Sequence, residues 1–224
     1  CAVIVEYNGA DSWGAHGELK MMLSTEFYFI AFLFGAMVGS FLNVCIARIP
    51  NDESVIHPSS HCPKCKTAIP FYYNIPLLSY VLLRARCYSC KQSISPRYFI
   101  VELLSALVSV ALYAWFGLSY TFFVNFVFAA ALIAISFIDL DVRIVPDVIS
   151  LPGIVIGLVF SVIGYFVFAE SVEIIPTPLS SLIGILVGGG FLLATAWIYE
   201  KFTGVEGMGG GDIKLLAMIG AFLG

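Results

Sequence analysis

The chain has 224 residues, of which 60% are hydrophobic and only 12% are charged, and its mean hydropathy is +0.96. A soluble globular domain carries about twice that share of charged residues, so the composition excludes a soluble protein and indicates an integral membrane protein. The net charge of −4 excludes nothing further, because the placement of Lys and Arg matters more than their sum in a membrane protein.

Residues 1–25 precede the first apolar segment and have mixed polarity with no clear period. They lack the basic start and compact apolar core of a signal peptide, so we interpret them as an N-terminal extension, such as a tag or an upstream remnant.

Five apolar segments are long enough to cross a bilayer. The predicted spans are 27–47, 99–116, 120–138, 148–168 and 179–199, and a sixth begins at Ile213. The sixth run continues for only about 12 residues, whereas a span needs about 20, so we expect further spans beyond Gly224.

Residues 48–98 form a polar loop between the first two spans, with seven of the eleven basic residues of the chain. Loops rich in Lys and Arg stay in the cytoplasm, and counting the spans from there places both Asp139 and the glycine cluster before Asp212 on that same face. The predicted domains are the extension 1–25, a first transmembrane helix at 26–47, a cytoplasmic loop domain at 48–98 and a membrane domain at 99–224. The predicted fold class is an all-α transmembrane helix bundle with a small zinc-binding loop domain.

The loop contains two C-x-x-C pairs, Cys62 with Cys65 and Cys87 with Cys90. Their separation of 21 residues is close to the spacing of a structural zinc site with four thiolates. Structural disulfides are rare in the cytoplasm. We therefore favour zinc, with paired disulfides or free thiols as the alternatives.

Two acids are hard to explain as parts of an ordinary membrane helix. Asp139 follows directly on the third span, at a helix C-terminus, where the helix dipole disfavours negative charge. Asp212 opens the sixth span, where it could simply be an N-cap, as Asp147 could be for the fourth. If Asp139 and Asp212 instead face each other around a water, they share a proton and can carry out aspartic-protease chemistry. The helix dipoles then favour Asp212 as the base and Asp139 as the group that holds the proton.

The residues around Asp212 suggest how a substrate would approach. Gly209, Gly210 and Gly211 carry no side chain, so a substrate backbone could come close to the carboxylate. Lys214 could contact an acidic group of the substrate, or it could extend along the helix end towards the headgroups.

These motifs together resemble the type IV prepilin peptidases, which are intramembrane aspartyl proteases. The resemblance rests on GSFLNV at 39–44, on the two C-x-x-C pairs followed by SPRYFIVELLSA, on LDVRIVPD ending at Asp147, and on GMGGGDIKLLA at 207–217. It implies that Asp139 and Asp212 are the catalytic pair. It further implies prepilin or pseudopilin substrates, cleaved at the cytoplasmic face of the bacterial inner membrane, and N-methylation of the new N-terminus with S-adenosylmethionine.

Two other classes of function remain open at this stage. A transporter or channel could use the same two acids to bind a cation or relay protons. A non-catalytic scaffold could use the zinc loop to bind a partner in an assembly machine. The expected surroundings are the lipid bilayer and a prepilin-like substrate, and we expect no nucleic-acid partner.

Overall fold

The computed structural model describes residues 10–62, 64–168, 175–204 and 209–224, and the described part is all helical apart from loops and two isolated β-bridges. Seven α-helices follow one another: α1 (Ala10–Arg48), α2 (Leu78–Leu82), α3 (Pro96–Phe116), α4 (Tyr120–Val142), α5 (Asp147–Val167), α6 (Pro178–Thr203) and α7 (Gly210–Leu223). The predicted all-α class is therefore confirmed.

Five of the described helices are long and apolar enough to cross a membrane. These segments are Thr25–Asn51, Pro96–Phe116, Tyr120–Val142, Asp147–Val167 and Pro178–Thr203. Each matches a predicted span within a few residues. Residues 10–25 of the predicted extension continue α1, and residues 1–9 lie outside the described part of the chain.

Local sequence explains where several helices begin. The hydroxyl group of Ser95 accepts a hydrogen bond from the backbone N–H of Arg97, and Pro96 occupies the first helical position of α3. Thr177 caps α6 in the same way, again with a proline directly after it. These caps satisfy backbone donors that a helix start leaves without partners.

Small residues set the closest helix contacts. A Cβ atom added at Gly35 would lie 2.6 Å from the carbonyl oxygen of Ser105, and one added at Gly39 would lie 2.7 Å from the Cα of Glu102. Helix α1 therefore packs backbone to backbone on α3. On the other side of the bundle, Gly188 of α6 meets the carbonyl oxygen of Leu216 in α7 in a similar way.

Helix α4 lies between the two halves of the bundle. One face of α4 joins an apolar cluster with α1 and α3, which contains Leu42, Ile46, Val101, Ile133, Ala134 and Ile138. The other face joins a second cluster with α5 and α7, whose buried members are Val124, Ile135, Met218 and Phe222. The end of α4 that carries Asp139 is thus held from both sides.

Two helix starts differ from the predictions. Helix α7 begins at Gly210 with Gly209 as its N-cap, so Asp212 lies inside the first turn and is not the N-cap. Helix α5 has Pro146 as its N-cap, so Asp147 is its first residue and makes no cap hydrogen bond. Both acids therefore have side chains that are available for other contacts.

Candidate active site

Asp139 lies in the last turn of α4, on the face that packs against α7. Ile135, Leu132 and Phe128 precede it by one, two and three turns, and all three belong to the apolar cluster shared with α7. The ring of Phe128 stacks on that of Phe222 with centroids 4.7 Å apart. The helical period therefore directs the exposed carboxyl group of Asp139 towards the same side as this contact.

Asp212 lies in the first turn of α7, next to the loop that follows Asp139. Leu215, one turn later, belongs to the same apolar cluster as Ile135. A Cβ atom at Gly211 would lie only 2.9 Å from the Cβ of Val145, so the first turn of α7 presses against the loop between α4 and α5. The structure thus brings Asp139 and Asp212 to the same end of the contact between α4 and α7, although no hydrogen bond joins their carboxyl groups.

The other two acids of this region are held in ion pairs. Asp141 pairs with Arg97, and both carboxylate oxygens of Asp147 lie 2.7 Å from the Nζ of Lys214. By contrast, neither Asp139 nor Asp212 has a side-chain hydrogen bond or ion pair with any described residue. Two carboxylates here are therefore neutralised by cations, and two are left available for chemistry.

Arg97 ties the start of α3 to the end of α4. Besides its ion pair with Asp141, it donates a hydrogen bond of 3.0 Å from Nη2 to the carbonyl oxygen of Phe137, and its guanidinium lies 5.5 Å from the centre of the Phe137 ring. This contact ties the first turn of α3 to the backbone of the last turns of α4.

Sequence reasoning missed both ion pairs. Arg97 was counted only as a charge of the basic loop, and Lys214 only as a residue near a substrate or the headgroups. One signal was present, because Arg97 falls in the first turn of a helix, where the dipole disfavours a cation. A cation at this position therefore suggests an acidic partner elsewhere in the fold, which would offset the unfavourable dipole.

The four cysteines of the loop meet at one point, with all sulfur atoms within 4.8 Å of one another. Two similar turns present them: the N–H of Lys66 donates to the carbonyl of Cys62, and the N–H of Lys91 donates to the carbonyl of Cys87. None of these thiols forms a disulfide. A tetrahedral zinc with four bonds of about 2.3 Å places its sulfur atoms about 3.8 Å apart, and the sulfurs of Cys62 and Cys90 are 3.9 Å apart. The donor set and its spacing fit a metal ion.

The pKa values of these thiols differ, so the thiols differ in how readily they form the thiolates that bind a metal. Hydrogen bonds from the side chain and the backbone of Thr67 lower the pKa of Cys65 to about 6. Backbone N–H groups of Cys90 and Ser89 lower the pKa of Cys87. A backbone hydrogen bond from Gln92 lowers the pKa of Cys90, but burial and the neighbouring sulfur atoms outweigh it and raise this pKa to about 11. Thiolates are the metal-binding form, so a metal has to displace the proton of Cys90 on binding.

Comparison with known proteins places the chain in a family. Residues 33–116 match the Bacterial Peptidase A24 N-terminal domain, and residues 126–224 match the Type IV leader peptidase family. The chain belongs to the type IV leader peptidase family. This is a family of aspartic peptidases, and the resemblance drawn from the motifs is confirmed. With its five apolar helices, the chain is a multi-pass membrane protein.

Several relatives carry the name "Prepilin leader peptidase/N-methyltransferase". The one from Neisseria gonorrhoeae is 38% identical over 220 residues, covering 87% of this chain and 73% of the relative. The one from Aeromonas hydrophila is 38% identical and covers 92% and 77%, and the one from Myxococcus xanthus is 38% identical and covers 93% and 59%. No solved structure gave a significant match.

Proposed function

We propose that this chain is a membrane aspartic endopeptidase with Asp139 and Asp212 as its catalytic pair. It removes the leader peptide of type IV prepilins or pseudopilins at the cytoplasmic face of the bacterial inner membrane. One observation carries this assignment: of the four acids between α4, α5 and α7, these two are the ones that pair with no cation among the described residues, and they lie at one end of the same helix contact.

The chemistry requires one water and one proton shared between the two carboxyl groups. The ionised carboxylate removes a proton from the water as its oxygen bonds to the scissile carbonyl carbon, and the protonated carboxyl group donates a hydrogen bond to the carbonyl oxygen. The tetrahedral intermediate then breaks its C–N bond, and the leaving amine takes up the proton. The dipoles at the two helix ends favour Asp212 as the base and Asp139 as the acid.

The glycines before Asp212 divide into two roles. A Cβ atom at Gly209 or Gly210 would meet nothing within 4 Å, so both positions offer room for an extended substrate backbone. In contrast, Val145 occupies the space beside Gly211, and Lys214 forms an ion pair with Asp147. We assign substrate approach to Gly209 and Gly210, and the positioning of α7 to Gly211 and Lys214.

The cysteine cluster would hold one structural zinc ion. With four thiolates as ligands, no coordination position remains for water or substrate, so the metal would stabilise the loop and take no part in cleavage.

A second activity follows from the name of the relatives. We extend N-methylation of the newly exposed N-terminus, with S-adenosylmethionine as the methyl donor, to this chain. Incubation with a cleaved pilin peptide and isotope-labelled S-adenosylmethionine tests it, and a peptide that gains no labelled methyl group would exclude it.

The test of the peptidase uses purified protein in a membrane mimetic and a peptide that spans a prepilin leader and its cleavage site. Asp139→Asn and Asp212→Asn should each lower kcat by at least about 100-fold, as expected for the loss of a general acid or base. Glu53→Gln is the matched control, because it removes an exposed carboxylate charge whose side chain makes no hydrogen bond or ion pair with a described residue, and it should keep activity within about twofold.

The same test separates the other two classes of function. A scaffold would process no peptide at all, and a transporter would move protons or cations with no product detected by mass spectrometry. The positions of the acids argue against transport, because both lie in terminal helical turns and transport sites lie nearer the middle of the membrane.

A further inference from the structure

Helix α2 and the turn after it form a surface that no described residue covers. The exposed fractions of its apolar side chains are 50% for Leu78, 62% for Val81 and 70% for Leu82. Next to them, a pocket of about 250 Å³ is lined by three cations, Arg84, Arg86 and Lys91, together with Leu83 and Cys87. We call the three apolar residues and the three cations the α2 surface.

Two contacts fix the depth of α2 along the membrane helix α3. The backbone N–H of Leu77 donates a hydrogen bond of 2.7 Å to Oε2 of Glu102, and the ring of Tyr80 packs on that of Phe99 with centroids 5.3 Å apart. Phe99 and Glu102 lie three and six residues after Pro96, or about 4.5 and 9 Å along the helix axis. The 21 residues of α3 are just long enough to cross a hydrocarbon core of about 30 Å. The first turns of α3, and α2 beside them, therefore lie at the boundary between headgroups and acyl chains.

The three cations lie farther from the centre of the bilayer than the apolar residues of α2. The backbone N–H of Ile94 donates to the carbonyl of Ala85, and Arg86 forms an isolated antiparallel bridge with Ser93. Ser93 and Ile94 lie three and two residues before Pro96, the first residue of α3. This pairing holds the basic turn just outside the first residue of the membrane helix, which is the level of the phosphate groups.

No acid balances these charges. Residues 48–98 contain Asp52 and Glu53 as their only acids, and the side chains of Arg84, Arg86 and Lys91 make no hydrogen bond or ion pair with a described residue. An apolar face at the depth of the acyl chains, with free cations at the depth of the phosphates, is the pattern of a segment that lies in a membrane interface.

We propose that the α2 surface docks onto the bilayer, with Leu78, Val81 and Leu82 in the acyl layer and the headgroup of an anionic phospholipid between Arg84, Arg86 and Lys91. A partner protein in the aqueous phase would not explain why the apolar face lies at the depth of the acyl chains. This docking would fix the cysteine domain against the membrane, and it is independent of the peptidase assignment.

The test measures amide hydrogen exchange of residues 78–86 in the full chain, reconstituted in nanodiscs of phosphatidylcholine alone or with phosphatidylglycerol as roughly one third of the lipid. Phosphatidylglycerol should slow exchange in this segment, by about fivefold for each cation engaged. Arg84→Gln with Arg86→Gln should abolish the difference between the two lipids. The matched control, Lys64→Gln with Lys66→Gln, removes two exposed charges of the same domain outside the pocket, and it should keep the difference.

Three further measurements complete the test. Leu82→Ser should speed exchange in both lipids, because it removes the apolar anchor, and exchange within α4 should stay unchanged in every variant as a measure of folding. Inorganic phosphate added to phosphatidylcholine nanodiscs should have no effect. The proposal is overturned if phosphatidylglycerol changes nothing, if the lysine control behaves like the arginine pair, or if free phosphate reproduces the protection.

Discussion

A single methyl group added at Gly211 should disturb the alignment of the two candidate catalytic acids. In Gly211→Ala, the new Cβ atom would lie 2.9 Å from the Cβ of Val145 and 3.4 Å from its Cγ2. The Cβ of Val145 is attached to the backbone and cannot rotate away. The contact is therefore relieved only when the first turn of α7 or the loop after Asp139 moves, by about 0.5 Å to reach ordinary contact distance.

This movement should lower kcat substantially while lowering the free energy of unfolding only slightly. A displacement of about 1 Å in a catalytic arrangement costs about 100-fold in rate, so 0.5 Å should lower kcat by about tenfold. Overpacking costs about 1–3 kcal/mol of folding free energy, and alanine recovers about 1 kcal/mol of it through its better helix propensity. The net loss of stability is then at most about 2 kcal/mol, which leaves the protein folded.

The assay pairs peptide cleavage with thermal unfolding of the same sample. Gly210→Ala is the matched control, because its Cβ would meet nothing within 4 Å and the helix gains the same propensity. We expect this control to keep kcat, to keep or slightly raise the unfolding temperature, and to raise KM if substrate passes over Gly210. The reasoning fails if Gly211→Ala keeps full kcat, or if Gly210→Ala lowers kcat by the same factor.

Three further predictions address the ion pairs and the metal. Lys214→Met should cost at most about 1 kcal/mol of unfolding free energy, since the side chains of Lys214 and Asp147 are 35% and 55% exposed, and a double-mutant cycle with Asp147→Asn should give a coupling in that range. Arg97→Lys should lower kcat in the cleavage assay, because lysine lacks the planar fork with which Arg97 pairs with Asp141 and donates to the carbonyl of Phe137, whereas an unchanged kcat would rule out this positioning role. Zinc affinity, measured by competition with a chromophoric chelator, should rise from about pH 6 to pH 8, because the pKa of Cys90 is raised to about 11 and its proton must leave on binding.

Sequence patterns were sufficient where a single segment determines the structure. The apolar segments predicted the five long helices because each is long enough to cross a bilayer by itself. The two C-x-x-C pairs predicted the cysteine cluster because each pair forms its own turn, and the turns need only meet.

Prediction failed where the outcome depends on a distant residue. Helix α7 starts three residues before the predicted start, although glycine has poor helix propensity, and Gly211 in this first turn packs against Val145 from a distant loop. Asp147 does not cap α5, because its carboxylate turns to Lys214, 67 residues further along the chain. Local preferences contain no information about a partner at that separation, so only the folded arrangement reveals it.

The two ion pairs also explain why an active site could place so many acids together. Four carboxylates near one membrane boundary would repel one another, and each would favour the protonated form of its neighbours. Arg97 and Lys214 cancel Asp141 and Asp147, and the same contacts fix the ends of α4 and α7 on which Asp139 and Asp212 lie. The pairs therefore separate two functions within one cluster of acids: two carboxylates hold the helix ends in place, and the other two remain free to share a proton.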